Sequence, residues 1–136
     1  MNLPKQLFTI GLLGSIAVAF GALGAHALKN QLAAGLITAD QLNGFDTAVK
    51  YQMYHTLAML AIVILKQQFS SLKLLNYAYA FFFWGIILFS GSLYLLCTRG
   101  LTGLEELNIL GPITPLGGLS FIGGWICIAL APFKKK

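Results

Sequence analysis

Four long stretches of the chain contain no Asp, Glu, Lys or Arg: residues 6–28, 51–65, 74–98 and 107–133. A membrane-spanning helix needs about 20 apolar residues, within a range of about 17–25. The second stretch is short by that measure unless its helix begins before Lys50, near Asp46 or Thr47. In the fourth stretch the apolar part begins near Ile113, behind Pro112 and ahead of Pro115, where a missing N–H costs a helix little. The pattern predicts an all-α integral membrane protein. It is a bundle of four transmembrane helices over about 6–28, 47–66, 74–97 and 112–131, forming one membrane domain over 1–136.

The connections carry signals of their own. Thr38-Ala39-Asp40-Gln41 fits a capping box, with Asp40 in the first turn, so the second helix can open as early as Thr38. A helix over 38–66 would be about 43 Å long at about 1.5 Å per residue. That exceeds the bilayer core, and its first part, 38–46, is expected to lie at the interface. Leu42, Phe45 and Val49 there stand at helical spacing, as an interfacial apolar face requires, and Gly44 offers a kink. Leu101, Leu104, Leu107, Ile109 and Leu110 are expected to hold the 98–111 connection on the membrane surface. The first helix imitates a secretory signal: Lys5, an apolar run, then Ala25-His26-Ala27. Its run is longer than the usual h-region of about 7–15 residues, so a retained helix is expected.

Membrane helices associate where small residues let backbones approach. Gly14, Ala17, Gly21 and Ala25 form such a seam on the first helix. Gly117, Ser120 and Gly124, flanked by Gly118 and Gly123, form one on the fourth, and Gly85, Gly91 and Ser92 supply the third helix. These positions are expected to pack helix on helix.

Composition agrees with a membrane protein. Hydrophobic residues make up 57% of the chain and charged residues 10%, against about 25% charged in soluble domains. The net charge of +5 follows from how the basic residues are distributed. Lys5, Lys66, Lys73 and the Lys134–Lys136 tail fall on one side of the four helices. Lys29, Lys50 and Arg99 fall on the other, with all four acids, Asp40, Asp46, Glu105 and Glu106. The positive-inside rule then places both termini in the cytoplasm. Tyr51, Tyr54, Tyr77, Tyr79 and Tyr94 lie near the predicted helix ends, as interfacial belts require. Scattered basic residues with no soluble domain to hold them exclude a nucleic-acid partner; lipid is the expected surrounding. Cys97 and Cys127 are expected at different depths, too far apart for a disulfide.

Polar residues inside the predicted helices gather toward the side opposite the termini. His26, Tyr51, Gln52, His55, Thr56, Ser90, Ser92, Tyr94 and Thr114 all fall in that half. Tyr51, Gln52 and His55 share one helical face. Polar groups in lipid turn inward and find partners, so a bundle-lining cluster of His26, Tyr51, Gln52, His55, Ser92, Tyr94 and Thr114 is expected, either as an interhelical lock or around a ligand. Two histidines without nearby carboxylate or thiolate make a poor metal site. They could ligate a haem axially, but no metal or cofactor is expected. No nucleophile–base spacing and no carboxylate pair suggests an enzyme.

Four segments make the chain resemble a known family: Gly21-Ala-Leu-Gly-Ala-His26, Tyr51-Gln-Met-Tyr-His-Thr56, Phe89-Ser-Gly-Ser-Leu-Tyr94 and Thr114-Pro-Leu-Gly-Gly-Leu-Ser-Phe-Ile-Gly-Gly-Trp125. Their order and spread resemble the YgdD-like family, domain of unknown function family 423, to which the eukaryotic transmembrane protein 256 is related. The family commonly has an acid before the Tyr-Gln pair; this chain has Lys50. The resemblance implies a small four-helix membrane protein and no established activity. Two functions are compatible with these features. One is an accessory or assembly subunit of a larger membrane complex, or self-association. The other is a lipid- or quinone-type ligand held in the polar half.

Overall fold

The computed structural model describes residues 2–69, 72–103 and 110–133. Leu104, Glu105, Glu106, Leu107, Ile109 and the lysine tail 134–136 lie outside the described residues. Four helices long and apolar enough to cross a membrane run up and down: α1 (Leu3–Ala33), α2 (Ala39–Gln68), α3 (Leu74–Thr102) and α4 (Ile113–Phe133). Among the described residues there is no strand.

The ends of the helices are set by local hydrogen bonding, and they extend past the apolar runs. At the start of α1 the Asn2 side chain accepts from the Lys5 amide, and Pro4 occupies the first turn. At its end Gly35 adopts φ +74°. The Leu36 and Gly35 amides there donate back to the Gln31 and Leu32 carbonyls at 2.9 and 3.0 Å, a Schellman termination that only glycine closes without strain. Thr38 then opens α2 by the expected box: its hydroxyl accepts from the Gln41 amide at 3.2 Å, and the Gln41 side chain accepts from the Thr38 amide at 2.8 Å. The two caps leave only residues 34–38 between α1 and α2. The segment 38–46 is the start of one continuous helix and not a separate interfacial one. Hydropathy marks the part of a helix that lipid accepts; caps mark where the helix stops. With 31 and 30 residues, α1 and α2 are about 45 Å long, and their outer turns extend beyond a hydrocarbon core of about 30 Å.

α2 and α3 form the centre. α1 packs along α2, and α4 packs most extensively along α3. α1 reaches α3 through Phe20 and Tyr94, whose rings meet edge-on at 4.6 Å. At the other end of the bundle the Tyr79 hydroxyl donates to the Gln6 carbonyl at 3.4 Å. Two π turns interrupt the ladders, Gly24–Leu28 in α1 and Ile86–Ser90 in α3.

Glycines and phenylalanines interlock α3 with α4. Phe82, Gly85 and Phe89 of α3 stand opposite Gly124, Phe121 and Gly117 of α4. A Cβ at Gly85 would meet the Phe121 ring at 2.5 Å, one at Gly124 the Phe82 Cδ1 at 2.6 Å, and one at Gly117 the Phe89 Cα at 2.7 Å. Each glycine is a notch that admits the opposing residue, and Gly117 lies against the backbone itself. Gly14 and Gly21 of α1 face Thr56 and Val49 of α2 at ordinary contact, 3.8 and 3.4 Å. Ser120 crosses to α3, donating to the Phe81 carbonyl at 2.7 Å.

Candidate functional site

The polar side chains of the bundle concentrate at the end that holds the 34–38 connection, and the structure sorts them into separate groups. Gln52 is the first centre. Only 2% exposed, it donates from Nε2 to the Leu13 carbonyl of α1 at 2.7 Å and accepts at Oε1 from the Tyr94 hydroxyl of α3 at 2.9 Å. One side chain on α2 thus links three helices. Thr56, one turn along, donates to the Gln52 carbonyl at 2.7 Å and turns its methyl to Gly14. Ser90, within the π turn of α3, donates to the Ala48 carbonyl at 2.8 Å. Ser92 meets Thr114 at 2.7 Å, linking α3 to the first turn of α4.

His55 is the second centre. It lies 5% exposed, with Nδ1 2.7 Å from the Tyr51 carbonyl and Nε2 3.3 Å from the indole nitrogen of Trp125. A carbonyl only accepts and an indole N–H only donates. The ring is therefore the neutral tautomer with its proton on Nδ1, and both nitrogens are in use. Phe121 stacks on its face, and Phe82 stands against it with ring centres 5.2 Å apart.

His26 lies apart from both centres. It sits exposed in the π turn of α1, and its side chain makes no hydrogen bond among the described residues. Because Gly21 faces Val49 and Gly24 faces Phe45, His26 is level with the first turns of α2. That is about 12 residues, or ~18 Å, short of His55 along the axis. The two histidines cannot act on one group. Among the described residues no set of three or more His, Cys, Asp or Glu side chains is arranged to hold a metal ion. Tyr51 stays with the His55 centre through its carbonyl and through its ring, 5.8 Å from the imidazole, but its side chain is exposed and lies on Phe89 at 4.8 Å.

Gln52, His55, Thr56, Ser90 and Ser92 are buried and hydrogen-bonded, and among the described residues no buried side-chain polar atom lacks a partner. The cluster is a packed lock. Open space lies beside it, on the lipid-facing side of α2 and α4. There a shallow groove of about 630 Å³ is lined by Tyr51, Tyr54, His55, Phe89, Phe121 and Trp125, with Gly118 and Ile122. The Tyr51 and Tyr54 hydroxyls have no hydrogen-bond partner among the described residues.

A family model described as a protein of unknown function (DUF423) matches residues 20–118. The chain belongs to the DUF423 family. A UPF0382 membrane protein of Staphylococcus saprophyticus is 40% identical over 131 residues, covering 96% of this chain and 98% of the relative. The membrane protein YwdK of Bacillus subtilis is 38% identical with the same coverage. The inner membrane protein YgdD of Escherichia coli is 34% identical over 123 residues, covering 90% of this chain and 85% of the relative. No solved structure matches. With four apolar helices and relatives of this kind, this DUF423 protein is a multi-pass protein of the bacterial cytoplasmic membrane.

Sequence reading missed both partners that matter most to His55 in this DUF423 chain, Phe121 and Trp125. The available signal was the mirrored spacing Phe82-x2-Gly85-x3-Phe89 and Gly117-x3-Phe121-x2-Gly124. Two such faces with glycine opposite phenylalanine can be read as one interface.

Proposed function

We propose that the protein acts by lateral association in the membrane, as an accessory or assembly subunit held to another transmembrane helix through the outer face of α1. One observation carries this reading. Gly11 has no atom of the chain within 4 Å of where its Cβ would be, while Gly14, Gly21 and Gly24 on the same helix all face α2. Gly11, Ser15, Ala19 and Ala22 are exposed at spacings of four, four and three, which puts them on one face. A glycine in a helix costs about 1 kcal/mol against alanine, and within this chain Gly11 gains no packing in return. Small residues on a lipid-facing stripe are the surface on which membrane helices approach closely.

The test is cross-linking in native membranes from single cysteines. Ser15→Cys and Ala22→Cys should give a discrete adduct, with a second copy or another membrane protein. Leu57→Cys, on the outward face of α2, should give none. Gly11→Leu should abolish the adduct and leave the helix content unchanged. A clean monomer after mild solubilisation, with no adduct from α1, would overturn the reading.

A second reading rests on the groove beside His55. Its stacked rings and two unpartnered phenols suit a flat amphiphile such as a quinone or lipid. Protection of Trp125 fluorescence from a lipid-phase quencher on adding a quinone analogue would support it; unchanged quenching would remove it.

A further inference from the structure

A different opening lies between the start of α1 and the start of α3. It has a volume of about 420 Å³ and is lined by Gln6 of α1 and by Asn76, Tyr79, Ala80, Phe83 and Trp84 of α3. The Tyr79 hydroxyl, donating to the Gln6 main-chain carbonyl, ties the two helices there. Gln6 is only 6% exposed, yet its side-chain amide makes no hydrogen bond among the described residues. No wholly buried side-chain polar atom among those residues lacks a partner. The little surface that Gln6 keeps is therefore at its amide, and the amide faces the opening. The other buried polar side chains among the described residues, Gln52, His55, Thr56, Ser90 and Ser92, are all bonded within the chain. A recessed amide with no partner is costly, and Gln6 alone of this set is left to find one outside the chain. Polarity falls along the opening. Asn76 stands one turn past Lys73, Gln6 and Tyr79 stand about a turn deeper, and Phe83 and Trp84 lie deepest. From Asn76 to Trp84 the span is about 12 Å. None of the lining residues carries a charge.

We propose that this opening binds a neutral acylglycerol lipid, a diacylglycerol, by its glycerol end. The Gln6 amide offers N–H donors and an acceptor oxygen on one carbon. Diacylglycerol carries the complement on adjacent carbons: an ester carbonyl that accepts and a free hydroxyl that donates. Its acyl chains then run inward along Phe83 and Trp84, in the order of the lining. A phospholipid replaces that hydroxyl with a charged phosphate diester, for which the lining holds no cation. A quinone brings acceptors and no donor. The site is separate from the Gly11 face and from the groove beside His55, and depends on neither.

Native mass spectrometry of the full-length protein tests the assignment, after release from phospholipid vesicles doped equally with diacylglycerol, its diether analogue and its O-methyl ether, all of one chain length. One diacylglycerol should be retained in preference to the host phospholipid. It should also be preferred about threefold or more over each analogue, because the diether lacks the carbonyl and the methyl ether lacks the donor. Gln6→Leu removes both bonds and should lower diacylglycerol retention about tenfold, leaving the three neutral lipids equal. Ala80→Trp, which fills the opening from an exposed position, should abolish retention. Gly11→Leu should leave it unchanged, so that loss of association through α1 and loss of this site are separate results. Retention of the lipids in proportion to their abundance, no retained lipid, or a Gln6→Leu protein that binds as the wild type does would each overturn the proposal. Should a variant fail to fold, the preference of the wild type among the three neutral lipids still decides.

Discussion

Phe121 lies flat on His55, with ring centres 3.5 Å apart and planes 8° from parallel. The contact joins α4 to α2 across the groove side of the bundle. It exists because Gly85 of α3 leaves the space that Phe121 fills. A glycine on one helix thus sets the environment of a histidine on another, through a ring on a third.

His55 is expected to be neutral with its proton on Nδ1. Nitrogen-15 NMR of labelled protein in lipid should report a protonated Nδ1 and a bare Nε2, with the Trp125 indole hydrogen-bonded. A signal from the opposite tautomer or from imidazolium would contradict the arrangement. Trp125→Phe should free Nε2 and shift its resonance without changing the tautomer, because the Tyr51 carbonyl still accepts from Nδ1.

The glycine notches should rank by what they face. Gly85→Ala forces the Phe121 ring to shift and should cost about 1–3 kcal/mol, the usual range for overpacking. Gly117→Ala should cost more, because the atoms it meets are the backbone of Phe89 and cannot turn aside. Gly11→Ala meets nothing in the chain and should be neutral or gain up to about 1 kcal/mol from helix propensity. Reversible unfolding in mixed micelles measures all three, and equal costs would show that the notches do not control packing.

Gln52→Leu removes two interhelical hydrogen bonds and leaves the Tyr94 hydroxyl without its acceptor. Interhelical bonds in membranes average about 0.6 kcal/mol and reach about 1.7, so the loss should be about 1–3 kcal/mol. Tyr94→Phe removes one of the two and should cost about 0.6 kcal/mol. A double-mutant cycle in the same micelles isolates the Gln52–Tyr94 coupling; additive losses would show that this bond contributes nothing.

The basic residues predict that both termini face the cytoplasm. Fusions at either end to a reporter active only in the cytoplasm should be active, and a fusion after Gly103 should be silent. Reversal of Lys66 and Lys73 to glutamate should weaken this bias.

Much of the architecture could be read from the chain. Four uncharged stretches require four spans, because lipid accepts no other use of so many apolar residues. Thr38 and Gln41 announce the start of α2, because a capping box is a local arrangement of a few residues. The candidate site was legible only in composition. Gln52 and His55 are recognisable as polar residues in lipid, but their partners are a carbonyl on α1 and an indole on α4.

His26 shows most clearly where sequence stops. By type and depth it belongs with His55. The termination at Gly35 and the register of α1 on α2 put it at the bundle's end, exposed and about 18 Å away along the axis. Hydropathy and caps are properties of one segment and its solvent, so the sequence alone determined the number of spans and the cap that opens α2. Register, the glycine notches and the pairing of His55 depend on how four helices fit together. Only the tertiary structure decided which polar groups met and which faced lipid.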